Sequence, residues 1–162
     1  MIRLNNGEDH HFGKPFTPDI ISIAKALSHI NRFNGHVGQY SVAQHCVLVA
    51  LELPKDLRLS GLLHDAPEAY IGDVTSPLKK LLPDYQELEN YYHRVIDSHF
   101  GVFTQHQAVY EVDLRMLMTE VKTFGLGAEG FPDVKPYDFE IVRQSPDVAR
   151  DMFLTVYYSL IN

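Results

Sequence analysis

The apolar positions of this chain recur mostly at helical spacing. After Thr17-Pro18-Asp19, apolar residues return every three or four positions, which predicts a helix with Thr17 as its N-cap and an end near Asn31. Ser41-Val42-Ala43-Gln44 has the form of a capping box, and the apolar face that follows it runs as far as Pro54. The pattern therefore predicts two amphipathic helices in the first third of the chain.

The remainder of the chain continues in the same way. A third helix is expected from about Asp56 through His64 and Asp65, with an end or a kink at Pro67, because proline has no amide proton to donate. Further helices are predicted over 78–82, over 84–100, after a capping box at 104–107 and after an N-cap at Ser145. The segment 125–138 holds three glycines and two prolines and is predicted to be a surface loop. Without a sustained alternating pattern, the chain is expected to be all-α.

Composition adds limits on location and partners. A chain of 162 residues with 45% hydrophobic and 22% charged residues fits one globular domain, 1–162. The single cysteine excludes an internal disulfide, and no signal-like or membrane-spanning apolar stretch is visible, so a cytoplasmic protein without a membrane partner is expected. A net charge of −7 argues against a nucleic-acid-binding surface, although it allows a small anionic substrate.

One set of residues indicates a metal site. His64 and Asp65 interrupt an apolar run, where a buried charge is costly unless it is paired or binds a metal. His45 lies on the preceding predicted helix and Asp113 on a later one, and bundle cores build metal sites from such inward-facing residues. Two imidazoles and two carboxylates suit Co, Mn, Zn or Fe. We therefore predict one divalent transition metal held by these four residues, and an enzyme.

The ordered set of motifs resembles the HD-domain metal-dependent phosphohydrolases. The matching residues are His45 after Tyr40-Ser41-Val42-Ala43-Gln44, the pair His64-Asp65, and Asp113. The continuation Ala66-Pro67-Glu68 with Gly72-Asp73-Val74-Thr75-Ser76-Pro77 is similar to bacterial 5'-deoxynucleotidases and to short phage-type dATP triphosphohydrolases. The resemblance extends from about Phe16 to Val121. It implies a single-domain HD-type helical bundle with the metal site in its core.

The resemblance also implies roles for two further carboxyl groups. Glu68 lies four positions after His64 and is expected near the metal without ligating it, where it could orient water or protonate the leaving oxygen. Asp73, in a turn after Gly72, resembles the second catalytic carboxylate of the family. The division of roles between Glu68 and Asp73 stays open at this point.

Substrate-binding residues are expected on both sides of these motifs. Arg32 can bind a phosphate with two donors, and Phe33, where relatives commonly carry Trp, can stack on a base or pack on a sugar. Ser76 is expected as an N-cap beside a phosphate. The complete expected set is Arg32, Phe33, His36, Thr75, Ser76 and Lys79.

Three functions compete at the level of sequence. The favoured one is a dNTP triphosphohydrolase, acting on a dATP-like substrate and releasing deoxynucleoside and triphosphate. The alternatives are a 5'-deoxynucleoside monophosphate phosphatase and a non-catalytic, metal-stabilised binding protein in which Glu68 and Asp73 do no chemistry. The expected partner is a small-molecule deoxynucleotide. A homo-oligomer is expected from the family resemblance and from the pairs Tyr91-Tyr92 and Tyr157-Tyr158.

Overall fold

Helices account for most of the ordered backbone. The computed structural model describes residues 1–162, and their elements are β1 (Ile2–Arg3), β2 (Asp9–His10), α1 (Ile20–His29), α2 (Val42–Glu52), α3 (Arg58–Leu62), α4 (Glu68–Ile71), α5 (Ser76–Lys79), α6 (Pro83–Phe100), α7 (Gln107–Thr123) and α8 (Pro146–Ile161). The two strands pair antiparallel, with Ile2 opposite His10. The expectation of a mostly helical chain is confirmed. None of the helices combines the length and the apolar character that a membrane crossing requires.

Helix α2 lies at the centre of the molecule. It packs against α1, α3, α7 and α8, so it has neighbours on most of its sides. Eight of its residues are buried, which explains why its sequence is apolar around most of its circumference. A larger core cluster joins α1, α2, α3 and α8, and a smaller one joins α2 to α7 and the segment before α8. A polar side chain placed on α2 is therefore surrounded by protein.

The capping box predicted at the start of α2 is confirmed in part. The Ser41 hydroxyl accepts a hydrogen bond from the Gln44 amide at 3.2 Å and so caps the helix. The Gln44 side chain does not bond back to Ser41. It donates instead to the Val142 carbonyl at 2.7 Å and accepts from the Gln144 amide at 2.9 Å. These bonds attach the strand-like segment before α8 to the central helix.

The predicted N-caps of α1 and α7 are wrong. Helix α1 is capped by Asp19, whose carboxylate accepts an amide proton of the first turn at 2.8 Å, and Thr17 lies outside the helix. Helix α7 is capped by the ring of His106, which accepts an amide proton at 3.1 Å. Thr104 lies outside α7, and its hydroxyl donates to Asp97 at 2.7 Å. The predicted N-cap of α8 at Ser145 is confirmed.

The third predicted helix is interrupted earlier than expected. Helix α3 ends at Leu62, and the chain then makes consecutive tight turns before α4. In these turns the Leu63 carbonyl accepts from the Ala66 amide at 3.0 Å, and the Asp65 carbonyl accepts from the Glu68 amide at 3.0 Å. Pro67 explains part of this geometry, because it cannot donate the amide proton that a continuous helix would offer to Leu63.

Gly61 allows α3 to lie very close to α2. A Cβ atom at this position would collide with Leu53 Cδ1 and would lie 3.4 Å from Ala50 Cα on the neighbouring helix. The absence of a side chain therefore sets the distance between the two helices. The carbonyl of Gly61 also accepts a hydrogen bond from His64 Nδ1 at 2.7 Å. This glycine thus helps to place His64 beside α2.

The amino-terminal hairpin is anchored by an aromatic cluster, formed by His10, Phe16, Tyr70 and Tyr92. The ring of His10 lies 4.8 Å from that of Phe16 and 4.9 Å from that of Tyr70, measured between centroids. His10 Nε2 is 2.6 Å from the Tyr92 hydroxyl, and the rings of Tyr70 and Tyr92 stack at 5.6 Å. Since Tyr70 belongs to α4 and Tyr92 to α6, the cluster joins the hairpin to both helices.

Candidate metal centre

Two histidines and two aspartates meet where α2, the turns after α3, and α7 approach one another. His45 Nε2 lies 2.9 Å from Asp113 Oδ1 and 3.7 Å from Asp65 Oδ2. His64 Nε2 lies 3.1 Å from Asp65 Oδ2 and 3.8 Å from Asp113 Oδ1. We call these four residues the His-Asp cluster. The structure therefore brings together all four side chains that the sequence indicates as metal ligands.

The break in α3 allows two consecutive residues to face the same point. On a continuous helix, neighbouring side chains point about 100° apart and cannot share a ligand. Because the chain turns tightly between Leu63 and Pro67, the side chains of His64 and Asp65 both reach the interior. The interruption of the helix is thus a requirement of the site.

Both histidine rings are held in a defined orientation. His45 Nδ1 is 2.6 Å from Glu120 Oε1, and His64 Nδ1 is 2.7 Å from the Gly61 carbonyl. An ionised carboxylate and a carbonyl can only accept, so each Nδ1 donates its proton, and when the ring is neutral the lone pair of Nε2 points into the cluster. Both Nε2 atoms are buried and make no hydrogen bond, despite the nearby aspartate oxygens.

The donor set fits a divalent ion. Ligand atoms of His45, His64 and Asp65 all lie within 4.8 Å of one another, and Asp113 lies beside both histidines. Buried nitrogens that converge with carboxylate oxygens, and yet form no hydrogen bond with them, are the arrangement that a cation would satisfy. Nitrogen and oxygen donors without a thiolate suit Mn, Fe, Co or Zn. The three-residue group could therefore hold a metal, with Asp113 in reach as a fourth ligand.

The charges of the cluster favour a cation. Burial opposes ionisation of Asp65, but His64 and His45 lower its pKa to about 2, and the two histidines likewise hold the pKa of Asp113 well below its usual range. Burial and Arg32 oppose protonation of His45, whereas Glu120 and Asp113 raise its pKa. The pKa of His64 is also raised, despite burial, chiefly by Asp65. The negative field that attracts protons to these rings would attract a metal ion equally.

Glu68 lies at the edge of this field with a carboxyl group that has no partner. It is buried, and its Oε2 atom makes no hydrogen bond. Burial raises its pKa well above the usual value, and the charges of Asp65 and Asp73 raise it further, although Arg32 and Lys79 act in the opposite direction. Burial and the neighbouring carboxylates therefore shift Glu68 towards its protonated form.

Asp73 reaches the same region through a turn that only glycine permits. Gly72 ends α4 with φ 80° and ψ 165°, a conformation that side-chain-bearing residues avoid. Burial raises the pKa of Asp73, while Arg32 lowers it and Asp65 raises it. Asp73 and Glu68 are thus two carboxyl groups in the same negative environment, with the larger shift on Glu68.

Arg32 is held at the rim of the His-Asp cluster. Its Nε and Nη2 atoms donate to Glu120 Oε2 at 3.1 and 2.8 Å, and its Nη1 atom lies 3.9 Å from Asp65 Oδ2. The neighbouring Phe33 is half-buried, and its ring lies 5.6 Å from the guanidinium carbon. Phe33 and Asn34 both have positive φ angles, 55° and 51°, which is uncommon outside glycine. The unusual backbone follows directly after Arg32.

The remaining expected substrate-binding residues are less closely tied to the cluster. The side chains of His36, Thr75 and Ser76 make no hydrogen bond or ion pair with it, and His36 and Ser76 are exposed. The expectation that Ser76 is an N-cap is wrong, because Thr75 holds that position at the start of α5 and makes no capping bond. His36 and Ser76 are therefore surface positions, and Thr75 is half-buried.

Lys79 lies near the cluster but has an acidic partner. Its ammonium group is 2.5 Å from Glu89 Oε1 on α6. Burial opposes the charged form, but the hydrogen bond and charge of Glu89 raise the pKa of Lys79, with smaller contributions from Glu68 and Asp65. The positive charge of Lys79 is therefore largely balanced within the protein.

Glu120 is not among the residues predicted from the sequence, and Tyr40 has no predicted role beyond its place in a motif. Glu120 is fully buried and bonds to His45, Arg32 and Tyr40. One signal could have found it: Glu120 lies seven positions, or two helical turns, after Asp113 on α7. A glutamate on the same helix face as a metal-ligand candidate, inside an apolar run, indicates a buried partner.

This chain is similar to two uncharacterized bacterial proteins. No protein-family model matches the chain. The uncharacterized protein YfdR of Escherichia coli (strain K12) is 36% identical over 165 aligned positions, which cover 95% of this chain and 92% of YfdR. An uncharacterized protein of Rhodobacter capsulatus is 35% identical over 99 positions, which cover 54% of this chain and 50% of that protein. The match to YfdR includes nearly the whole of both chains.

Proposed function

We propose that this chain, which belongs to the same protein family as YfdR of Escherichia coli, is a metal-dependent phosphohydrolase that acts on deoxynucleotides. The observation that carries the proposal is the pair of buried, unbonded Nε2 atoms of His45 and His64 beside Asp65 and Asp113. Glu68 next to this group has a buried carboxyl oxygen without a hydrogen-bond partner, and burial shifts it towards the protonated form that a general acid requires. The choice of a deoxynucleotide rests on the sequence resemblance, and so does assignment to the HD type of bundle.

The residues of the cluster would hold the ion in a reactive position. His45, His64, Asp65 and Asp113 are the ligands in this proposal. A divalent ion bound there supplies Lewis acidity towards a phosphoryl oxygen and lowers the pKa of a water molecule that it contacts. The protein contributes ligand orientation through Glu120 and the Gly61 carbonyl.

The two carboxyl groups outside the cluster divide the proton transfers. Two neighbouring carboxyl groups with different pKa shifts are suited to act as acid and base. Glu68, with the larger upward shift, is the acid that gives its proton to the oxygen leaving the phosphorus. Asp73, with the smaller shift, is the base that orients the attacking water and accepts its proton. Water attacks phosphorus, the phosphorus–oxygen bond breaks, and the proton balance between the two carboxyl groups is restored through solvent.

The ion pairs around the site favour a short phosphate chain. The sequence resemblance favours a triphosphohydrolase, which needs cations beyond the metal to bind three phosphates. Arg32 is bonded to Glu120, and Lys79 is bonded to Glu89, so neither cation is free without breaking an ion pair. A single phosphate can bind the ion and the remaining edge of Arg32. This observation favours the second candidate function, a 5'-deoxynucleoside monophosphate phosphatase.

Product analysis separates these functions. Purified protein is analysed for bound metal and incubated with deoxynucleoside mono- and triphosphates in the presence of Mn²⁺ or Co²⁺. Release of inorganic triphosphate supports the first candidate, and release of inorganic phosphate from monophosphates supports the second. The absence of any hydrolysis with metal bound would overturn both and leave a metal-stabilised binding protein.

A variant of the proposed acid tests the chemistry itself. Glu68→Ala is expected to retain the metal and to lose activity on the order of 10²–10⁴-fold, because general acid catalysis is removed. Glu87→Gln is the matched control, since Glu87 is an exposed residue of α6 that makes no side-chain hydrogen bond. Normal hydrolysis by Glu68→Ala would contradict the mechanism.

A further inference from the structure

Glu120 is a buried carboxylate with an unusually complete set of partners. Its Oε1 atom accepts from the Tyr40 hydroxyl at 2.8 Å and from His45 Nδ1 at 2.6 Å. Its Oε2 atom accepts from Arg32 Nη2 at 2.8 Å and from Arg32 Nε at 3.1 Å. A fully buried charge is retained at a cost unless every lone pair is used in this way. Each oxygen of Glu120 therefore accepts two hydrogen bonds, Oε1 from Tyr40 and His45 and Oε2 from Arg32.

We propose that Glu120 is a positioning residue that couples the metal-binding and phosphate-binding halves of the site. One oxygen orients His45 for the ion, and the other orients Arg32 for the substrate phosphate. The Arg32 half of this inference rests on the proposed function, whereas the His45 half requires only that a metal binds.

The first half follows from the tautomer of His45. Because Glu120 Oε1 accepts from Nδ1, the neutral ring keeps its proton on Nδ1 and leaves Nε2 unprotonated. Nε2 is the atom that lies 2.9 Å from Asp113 and has no hydrogen bond of its own. The carboxylate also increases the basicity of the ring, which strengthens a metal bond. Glu120 thus orients His45 as a metal ligand without being a ligand itself.

The second half follows from the edge of the guanidinium that Glu120 occupies. Oε2 takes the Nε and Nη2 donors of Arg32, so the long side chain is held in one orientation. The remaining Nη1 atom lies 3.9 Å from Asp65 Oδ2, at the rim of the His-Asp cluster. A phosphate bound at the ion would meet a donor that is already in place, without the entropic cost of ordering an arginine.

Glutamine at this position cannot perform both duties. If its oxygen faces His45 and Tyr40, its NH₂ group faces the donors of Arg32 and disturbs the guanidinium. If the amide is reversed, its NH₂ group faces His45 Nδ1, and the ring proton must move to Nε2, where it blocks the metal position. The substitution is nearly isosteric, so its effects report on hydrogen bonding and charge.

The experiment compares Glu120→Gln with Glu111→Gln, an exposed position of the same helix. Calorimetric titration with Co²⁺ alone measures metal affinity, and titration of the metal-loaded protein with inorganic phosphate measures anion affinity. We expect Glu120→Gln to lose roughly 10–100-fold in at least one of the two affinities, as for other residues that orient metal ligands. Glu111→Gln is expected to match the unsubstituted chain in both.

A spectroscopic measurement separates positioning from general structural damage. In the zinc-loaded, unsubstituted protein, ¹⁵N correlation spectra of the histidine side chains are expected to show His45 protonated at Nδ1. An unprotonated Nδ1 would overturn the inference, even if Glu120→Gln failed to fold. Folded Glu120→Gln with both affinities and the His45 tautomer unchanged would also overturn it. Because these probes are a metal and phosphate, failure to hydrolyse any deoxynucleotide would reject the proposed function and leave the His45 half standing.

Discussion

Two regions of the molecule each contain a buried histidine, and the partners of the two rings differ in charge. His10 is 2% exposed within the aromatic cluster, and His45 is fully buried within the His-Asp cluster. Burial lowers the pKa of His10, whose hydrogen-bond partner is the neutral hydroxyl of Tyr92. The pKa of His45 is raised in spite of burial, because Glu120 and Asp113 lie against the ring. The sign of the shift, rather than burial, separates a packing histidine from a candidate ligand.

The comparison also shows what an unbonded ring nitrogen means by itself. His10 Nδ1 is buried without a hydrogen bond, as are His45 Nε2 and His64 Nε2. His10 forms no ion pair with a carboxylate, however, whereas each of the other two nitrogens lies within 4 Å of two aspartates. A buried ring nitrogen without a hydrogen bond therefore indicates a metal site only where carboxylate oxygens lie close to the same nitrogen.

The largest effect is expected for Asp65→Asn in the His-Asp cluster. The amide removes an anionic ligand, so we expect loss of stoichiometric metal in elemental analysis. In the unsubstituted protein, metal at a hundredfold excess over Kd adds about 2.7 kcal/mol to stability, and this increment is expected to vanish in the variant. Asp133→Asn, in the exposed loop after α7, is the control. Undiminished metal content in Asp65→Asn would contradict the coordination scheme.

The next effect is expected for Gly61→Ala between α2 and α3. The added methyl group must displace Leu53 or move α3 away from Ala50, at a cost of about 1–3 kcal/mol. Because the Gly61 carbonyl orients His64, metal affinity is expected to fall as well. Denaturant unfolding and Co²⁺ titration measure the two effects. A variant with full stability and affinity would show that the close approach of the helices is not required.

A smaller effect, on stability and without loss of metal, is expected for His10→Gln. The substitution removes ring packing on Phe16 and Tyr70 and weakens the bond to Tyr92, with a cost on the order of 1 kcal/mol. Metal content is expected to be unchanged, because His10 belongs to a separate cluster. Reduced metal binding in this variant would contradict the claim that the aromatic cluster and the His-Asp cluster are separate.

The smallest effect concerns the pH dependence of the same variant. Because folding lowers the pKa of His10, the unfolded chain binds its proton more readily. The contribution of His10 to stability is complete above the unfolded pKa of about 6.5 and decreases as the pH falls below it. The stability difference between the unsubstituted chain and His10→Gln is therefore expected to narrow from pH 8 to pH 5.5 in metal-free samples. A difference that stays constant would contradict the shift.

Local signals in the sequence predicted much of the fold. Ser41 and Ser145 cap their helices as expected, because each hydroxyl serves an amide three positions later. The failures lie where capping patterns and periodicity do not fix the end of a helix. Thr104 gives its hydroxyl to Asp97, and the turns after Leu62 are stabilised by contacts that helical periodicity does not report. The hairpin strands, of two residues each, are too short to produce an alternating pattern.

The site was predictable only where motif residues lie close to one another or in a familiar order. His45, His64, Asp65 and Asp113 could be named from the sequence, and they lie together. The spacing of Glu120 from Asp113 could have indicated a buried partner, but its bond to Arg32, 88 positions away, has no local signal. Nothing local indicates the bond between Lys79 and Glu89 either. This bond makes the ammonium group of Lys79 less available to a substrate phosphate.

The aromatic cluster has a consequence for the position of Glu68. Helix α4 has only four residues, too few to be stable alone, and Tyr70 fixes its position by packing on Phe16 and Tyr92. Glu68, the proposed proton donor, begins that helix. Loosening the rings that hold Tyr70 would therefore displace Glu68 on the same short helix, without touching any of the four proposed metal ligands.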